Sequence, residues 1–87
     1  MKSSTTPDFR RSYAGLSPQI KSKVRKAFRI WKRNPRHPSL RFKKVGGLWS
    51  ARIDDDHRAL ALMDNEVLYW FWIGNHDEYE RLITTWQ

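Results

Sequence analysis

The sequence predicts an α+β domain: two N-terminal helices, a four-stranded antiparallel meander-like sheet and a C-terminal helix, with the helices on one face of the sheet. Three observations carry this. A run with helical spacing follows Ser17-Pro18 and stops at Asn34-Pro35. Four short extended runs, separated by Gly, Asp and Asn turns, occupy the second half. Between Val67 and Tyr79 the chain reads VLYWFWIGNHDEY, seven apolar residues and then a cluster of titratable ones. A run so rich in aromatic and β-branched residues predicts a central strand buried on both faces.

The elements follow in order. Residues 1–6 are polar and are expected to fray. A short helix from Pro7 or Asp8 to about Tyr13, ending at Gly15, turns Phe9 and Tyr13 inward. Ser17 is an N-cap with Pro18 at the first helical position. Ile20, Val24, Ala27, Phe28 and Trp31 then form one face, and Lys and Arg most of the rest. Pro35 forces Asn34 out of helical geometry. The extended runs are Leu40–Val45, closed by Gly46-Gly47; Trp49–Asp54; His57–Asp64, after the acidic turn Asp54–Asp56; and residues 67–73, after a turn at Asp64-Asn65. Short turns make neighbours antiparallel. Asn75–Trp86 predicts the last helix, with Asn75 as N-cap, Glu78 at capping-box spacing, and Tyr79, Leu82, Ile83 and Trp86 as its buried stripe.

At 87 residues the chain has room for one domain, residues 1–87. Without cysteine it has no disulfide framework and no thiolate metal site, which fits a reducing cytoplasm. No stretch reaches the roughly 18 apolar residues of a membrane span, and MKSSTTPDF carries no apolar signal-peptide core. The expectation is a cytoplasmic protein with no membrane partner.

Charge is distributed unevenly. The net charge is +8, and from Phe9 to Ile53 there are fourteen Lys and Arg and no acid. From Asp54 onward eight acids face only Arg58 and Arg81. A surface so one-sided attracts a polyanion, nucleic acid or an acidic protein.

No phosphate-cradling glycine loop or nucleophile elbow is present. His37, His57 and His76 lack the close pairing zinc requires, so no metal and no small-molecule cofactor is expected. His76 is the leading candidate for acid–base chemistry, placed where the central strand gives way to a helix. The positive end of a helix dipole and the carboxylates of Asp77 and Glu78 would act on it in opposite senses. Its structural alternative is a hydrogen bond at the helix entrance. Arg58, opening an otherwise apolar strand, either salt-bridges Asp54 or Asp56 or grips a phosphate. If the acidic turn holds three residues, 55–57, Asp54 pairs with Arg58 and Arg52 shares their face. With two or four residues, Arg52 and Arg58 point to opposite faces. Tyr79 falls on the apolar stripe, which favours the core over chemistry. Lys43 and Lys44 alternate faces, so at most one lines a given groove. Asp77 and Glu78 suit the helix N-terminus.

The basic helix ending at Asn34-Pro35, HPSL at 37–40, LWSARID at 48–54, DHRAL at 56–60 and WIGNHDEYERLI at 72–83 together resemble the RelE/ParE superfamily of type II toxin–antitoxin toxins. The resemblance covers nearly the whole chain and rests on motif order and spacing. It implies a compact toxin held inactive by a wrapping cognate antitoxin, which would here be acidic to suit the basic surface. The RelE-like branch consists of mRNA interferases that cut messenger RNA on the ribosome; the ParE-like branch acts on DNA gyrase. By position, Arg58 matches the phosphate-stabilising Arg and His76 a candidate general acid or phosphate contact. Tyr79 lies near a residue that orients the cleaved nucleotide. His37 matches a loop His of some members and Arg52 a basic residue on the second strand; with Lys43 and Lys44 they are the expected RNA-binding residues. The chain departs from the common pattern in having His at 76, Tyr close behind it and no strand-two Lys pair. The leading expectation is a metal-independent endoribonuclease acting through the RNA 2′-OH. The alternatives are a ParE-like gyrase inhibitor without nuclease activity, and an inactive basic binding module.

Overall fold

The computed structural model describes residues 2–86. The chain runs β1 (Lys2–Thr5), α1 (Pro7–Ala14), α2 (Pro18–Arg33), a 3-10 turn (Pro38–Leu40), β2 (Lys43–Val45), β3 (Leu48–Arg52), β4 (His57–Asp64), β5 (Val67–Asn75) and α3 (His76–Trp86). The α+β class follows the sequence. The helix starts do too, because each is fixed by a local side chain. Thr6 Oγ1 accepts the Phe9 N–H at 3.1 Å, Ser17 Oγ that of Ile20 at 3.3 Å, and Asn75 Oδ1 that of Glu78 at 2.8 Å.

The sheet differs from the expected four-stranded meander. It has five strands in the order β1-β5-β4-β3-β2. The extra strand is the N-terminal segment expected to fray, which pairs in parallel with β5 from Lys2↔Val67 to Thr5↔Trp70. The Thr6 N–H extends this ladder to the Trp70 carbonyl at 2.9 Å. Backbone pairing, with Arg10 donating to the Thr5 carbonyl and hydroxyl, holds β1, and its polar side chains suit an edge. The first expected run also shortens, since residues 38–40 form the 3-10 turn and only Lys43–Val45 pairs with β3.

The helices occupy both faces of the sheet, not one. On one side α1 and α2 bury Phe9, Val24, Ala27 and Trp31 against Ala51, Ala59, Ala61 and Trp70. Trp31 meets Trp70 edge-on at 5.7 Å and Phe42 at 5.9 Å, a geometry that suits their ring quadrupoles. On the other side α3 packs Tyr79, Leu82 and Ile83 over Leu48, Leu60, Phe71 and Trp72. The side chain of Trp86, expected on this stripe, lies outside the described residues. A bulge makes the second face possible. Ala61 pairs with Trp70 and Leu60 with Trp72, so Phe71 is the extra residue. Phe71 and Trp72 thus both turn toward α3, although strict alternation would separate them. Not all of β5 is covered, since Tyr69 is exposed beside Leu62.

The β4–β5 hairpin closes through Asn65-Glu66, one residue beyond the expected turn, with φ of 50° and 67°. Two positive φ values in a two-residue loop suit Asn followed by Gly. Glu66 adopts this conformation at a steric cost. Glu66→Gly is expected to raise stability by about 0.5–1 kcal/mol, or roughly 2–8 °C in Tm, measured by thermal melting.

Candidate functional site

The site forms where β3, β4, β5 and the start of α3 meet. Arg52 lies directly opposite Arg58, and Arg58 opposite Gly74. Ile53 N–H bonds to the His57 carbonyl at 3.0 Å, so the turn is Asp54–Asp56. It holds three residues, as a shared face requires, but lies one position earlier than 55–57. Arg58 therefore faces Arg52 across the ladder, and not Asp54. Both arginines belong to the α3 side, since Ser50 and Leu60 follow them at strand period. Lys43 pairs with Ser50 and joins this side; Lys44 pairs with Trp49 and falls on the other.

Asp54 organises the turn. Its carboxylate accepts from His57 Nδ1 at 3.0 Å, from the Asp56 N–H at 2.9 Å and from Lys23 Nζ at 3.2 Å. Burial pushes the Asp54 pKa up, but the hydrogen bonds from His57, the Asp56 amide and Lys23 outweigh it and hold the carboxyl at about 2. With the carboxylate so occupied, Arg58 takes neither salt bridge expected of it. Its guanidinium donates instead to two backbone carbonyls, of Asp54 and, at 2.9 Å, of His57. Among the described residues no carboxylate lies in ion-pair range of Arg58. Arg52 pairs with the exposed Asp55.

His76 is joined to the same turn. Its backbone N–H donates to the Asp56 carbonyl at 2.7 Å, which docks the first turn of α3 on the β3–β4 turn. Its Nε2 lies 3.3 Å from Glu80, one helical turn on, and its ring is 41% exposed. The carboxylate that meets the imidazole is thus Glu80, neither Asp77 nor Glu78. Tyr79 is 5% exposed, and its hydroxyl accepts from Ser50 Oγ at 3.0 Å. Its ring lies under His76 at 5.9 Å between centroids. His37 sits apart, with Nδ1 against Ser39 Oγ at 2.8 Å. It lines a polar groove of about 650 Å³ with Lys23, Lys26, Arg52, Asp54 and Asp55. The structure thus gathers Lys43, Arg52, Arg58, His76 and buried Tyr79 on the α3 side. His37 lies in the groove beside α2, Arg52 belongs to both places, and Lys44 belongs to neither.

The sequence reading took Asp54 only as a partner of Arg58 and missed the parts that His57 and Ser50 play in this site. The Asp54/His57 spacing of three across a tight turn is a local signal. Ser50 has none, because a polar residue in an alternating strand ordinarily faces water.

Gly74 completes the geometry. A Cβ there would sit 2.6 Å from the Trp72 ring, so the glycine lets the indole lie across the strand beside Arg58. Gly74→Ala is expected to cost about 1–3 kcal/mol, read from the denaturant midpoint, because the ring must move.

This architecture is the RelE-like fold. The chain aligns over 90% of its length with 96% of YafQ from E. coli strain BL21(DE3), at a TM-score of 0.68 and 11% identity. It covers 95% of a chain in the RelB-RelE antitoxin-toxin complex from Methanococcus jannaschii, again with 90% of its own length, at 0.68 and 7%. For a chain of the RelBE2 toxin-antitoxin complex from Mycobacterium tuberculosis, 86% of this chain covers 96% of that one, at 0.62 and 24%. No protein-family model and no curated protein sequence matches the chain.

Proposed function

We propose that this protein is the toxin of a type II toxin–antitoxin pair and that it cuts messenger RNA on the ribosome, without a metal. The observation that carries the reading is Arg58. It is a partly buried guanidinium with no carboxylate partner among the described residues, fixed by carbonyls and opposite Gly74, which precedes His76 by two residues. Arg52 and Lys43 add positive charge to the same side. Such an arrangement suits a phosphate in which negative charge builds up. The likeness in fold to proteins solved as toxin–antitoxin complexes supports the toxin reading and its partner.

RNA supplies its own nucleophile. The 2′-OH gives up its proton to solvent water and attacks the adjacent phosphorus. The P–O5′ bond breaks, leaving a 2′,3′-cyclic phosphate and a 5′-OH. Arg58 holds the equatorial oxygens of the crowded phosphorus as charge gathers there. His76 donates the proton that the departing 5′ oxygen takes up. Glu80 orients the imidazole through Nε2, and Tyr79, buried beneath it, supports the ring. Arg52 with Lys43, and His37 in the neighbouring groove, track the backbone on either side. An acidic antitoxin would cover this surface through charge complementarity. Ribosome-bound substrate places the activity in the cytoplasm.

The test is induction of wild type and His76→Ala side by side, with growth and ribosome-bound message both followed. Wild type is expected to arrest growth with mapped breaks, and His76→Ala to lose about 100- to 10,000-fold in cleavage rate. Growth arrest with intact message, retained by His76→Ala, would replace this reading with a ParE-like gyrase inhibitor. Unaffected growth would leave a basic binding module.

A further inference from the structure

A second concave region lies on the opposite side of the sheet, between the α1–α2 hairpin and the strands. It encloses about 350 Å³, and its lining is almost wholly apolar. Phe9, Phe28, Trp31 and Trp70 supply large walls, while Ala27 and Ala59 lie among them. Alanines on both the helix and the strand leave a gap that Leu or Ile would have filled. A volume of this size falls within the range of small-molecule pockets.

The rim says what would occupy it. The indole nitrogens of Trp31 and Trp70 are buried and closed to the cavity, so both side chains present ring carbon to it. At the rim stand Arg10 and Arg25. Arg10 donates to the Thr5 carbonyl and hydroxyl, and Arg25 to the Tyr13 hydroxyl at 2.7 Å. No carboxylate among the described residues pairs with either, and each guanidinium carries five N–H donors. Apolar walls beneath a cationic rim match a molecule with an apolar body and an anionic head.

We propose that this cavity binds a small amphipathic carboxylate, an aromatic or branched apolar acid whose body lies against the touching rings of Trp31 and Trp70 and whose carboxylate meets Arg10 and Arg25. Such a ligand ties α1 and α2 to the sheet and stabilises the fold by mass action. The site is separate from Arg58 and His76, so the proposal does not depend on what those residues do.

The test uses the full chain, 15N-labelled, titrated with 2-naphthoate and separately with neutral 2-naphthamide. The expected result is a saturable shift of the Trp31 and Trp70 indole N–H resonances, with Trp72 unmoved and at least tenfold weaker binding of the amide. Arg10→Gln with Arg25→Gln, both surface changes, is expected to weaken naphthoate binding at least tenfold while leaving the amide spectrum folded. Ala27→Leu is expected to fill the gap, raise Tm and abolish binding; should it not fold, the arginine pair still decides. No saturable shift up to millimolar naphthoate overturns the proposal. Equal binding of acid and amide, or unchanged binding in the arginine variant, overturns the anionic head. A concentration-dependent dimer that closes the cavity against naphthoate makes a second copy the occupant and overturns the small ligand.

Discussion

Arg58→Ala is expected to lower RNA cleavage by about 100- to 1,000-fold or more, the range for removing a preorganised donor from a developing oxyanion. The guanidinium is poised for this because its immediate bonds go to the neutral carbonyls of Asp54 and His57, which orient it without neutralising it. Removing it also breaks two charge-assisted hydrogen bonds, at a cost of about 1–3 kcal/mol in stability. The two effects separate by measurement. Thermal melting shows whether the variant remains folded at the assay temperature, and single-turnover cleavage then reports the chemical step. Arg58→Lys is expected to restore charge and much of the binding but little of the rate, since an ammonium lacks the planar fork that spans two phosphate oxygens. A folded Arg58→Ala protein that cleaves within about threefold of wild type would remove Arg58 from the chemistry.

The elements legible in the sequence were those encoded locally. Ser17-Pro18, Asn75 and Asn34-Pro35 set helix ends through caps and proline sterics, and the structure keeps them. What was illegible depended on distant pairing. Lys2–Thr5 has neither apolar alternation nor turn signals, and its strand exists because β5 offers an unpaired edge. The placement of α3 was within reach. A strand as apolar as residues 67–73 needs cover on both faces, so helices on one face alone would have left Phe71 and Trp72 uncovered. The bulge at Phe71 was not within reach, since no residue pattern marks it.

For the site, strand parity put Arg52 and Arg58 on one face once the turn length was odd. It did not give their direct pairing, because that depends on whether Ile53 or Asp54 makes the last rung. The sequence also could not show that Asp54 spends its carboxylate on His57 and Lys23. Lys23 lies 31 residues away on α2, and the contact exists only after the hairpin has folded onto the sheet. The expected bridge to Arg58 used the nearest opposite charge in sequence, whereas the fold supplies a different cation.

Asp54 therefore carries the second large expected effect. Asp54→Ala removes the acceptor for His57, Lys23 and the Asp56 amide at once, and the stability loss is expected to be about 2 kcal/mol. The loss should extend beyond stability, because the turn it holds supplies the Asp54 carbonyl to Arg58 and the Asp56 carbonyl to the His76 N–H. A turn free to move displaces both groups together, so kcat is expected to fall about tenfold with little change in KM. Hydrogen exchange at the His76 amide should accelerate, a readout that needs no catalysis. The acid limb of stability gives an independent check. The folded pKa of about 2 lies below the ordinary 3.8, so the Asp54 contribution is full above pH 4. It is lost as pH falls through 2. With Lys23 half exposed and solvent-screened, the part that titrates is about 1 kcal/mol. Asp54→Asn, which keeps an acceptor for the Asp56 amide but cannot titrate, should trail wild type at neutral pH and converge on it near pH 2. A constant gap down to pH 2 would mean that the charge on Asp54 does not hold the turn, and would leave Arg58 and His76 positioned by backbone pairing alone.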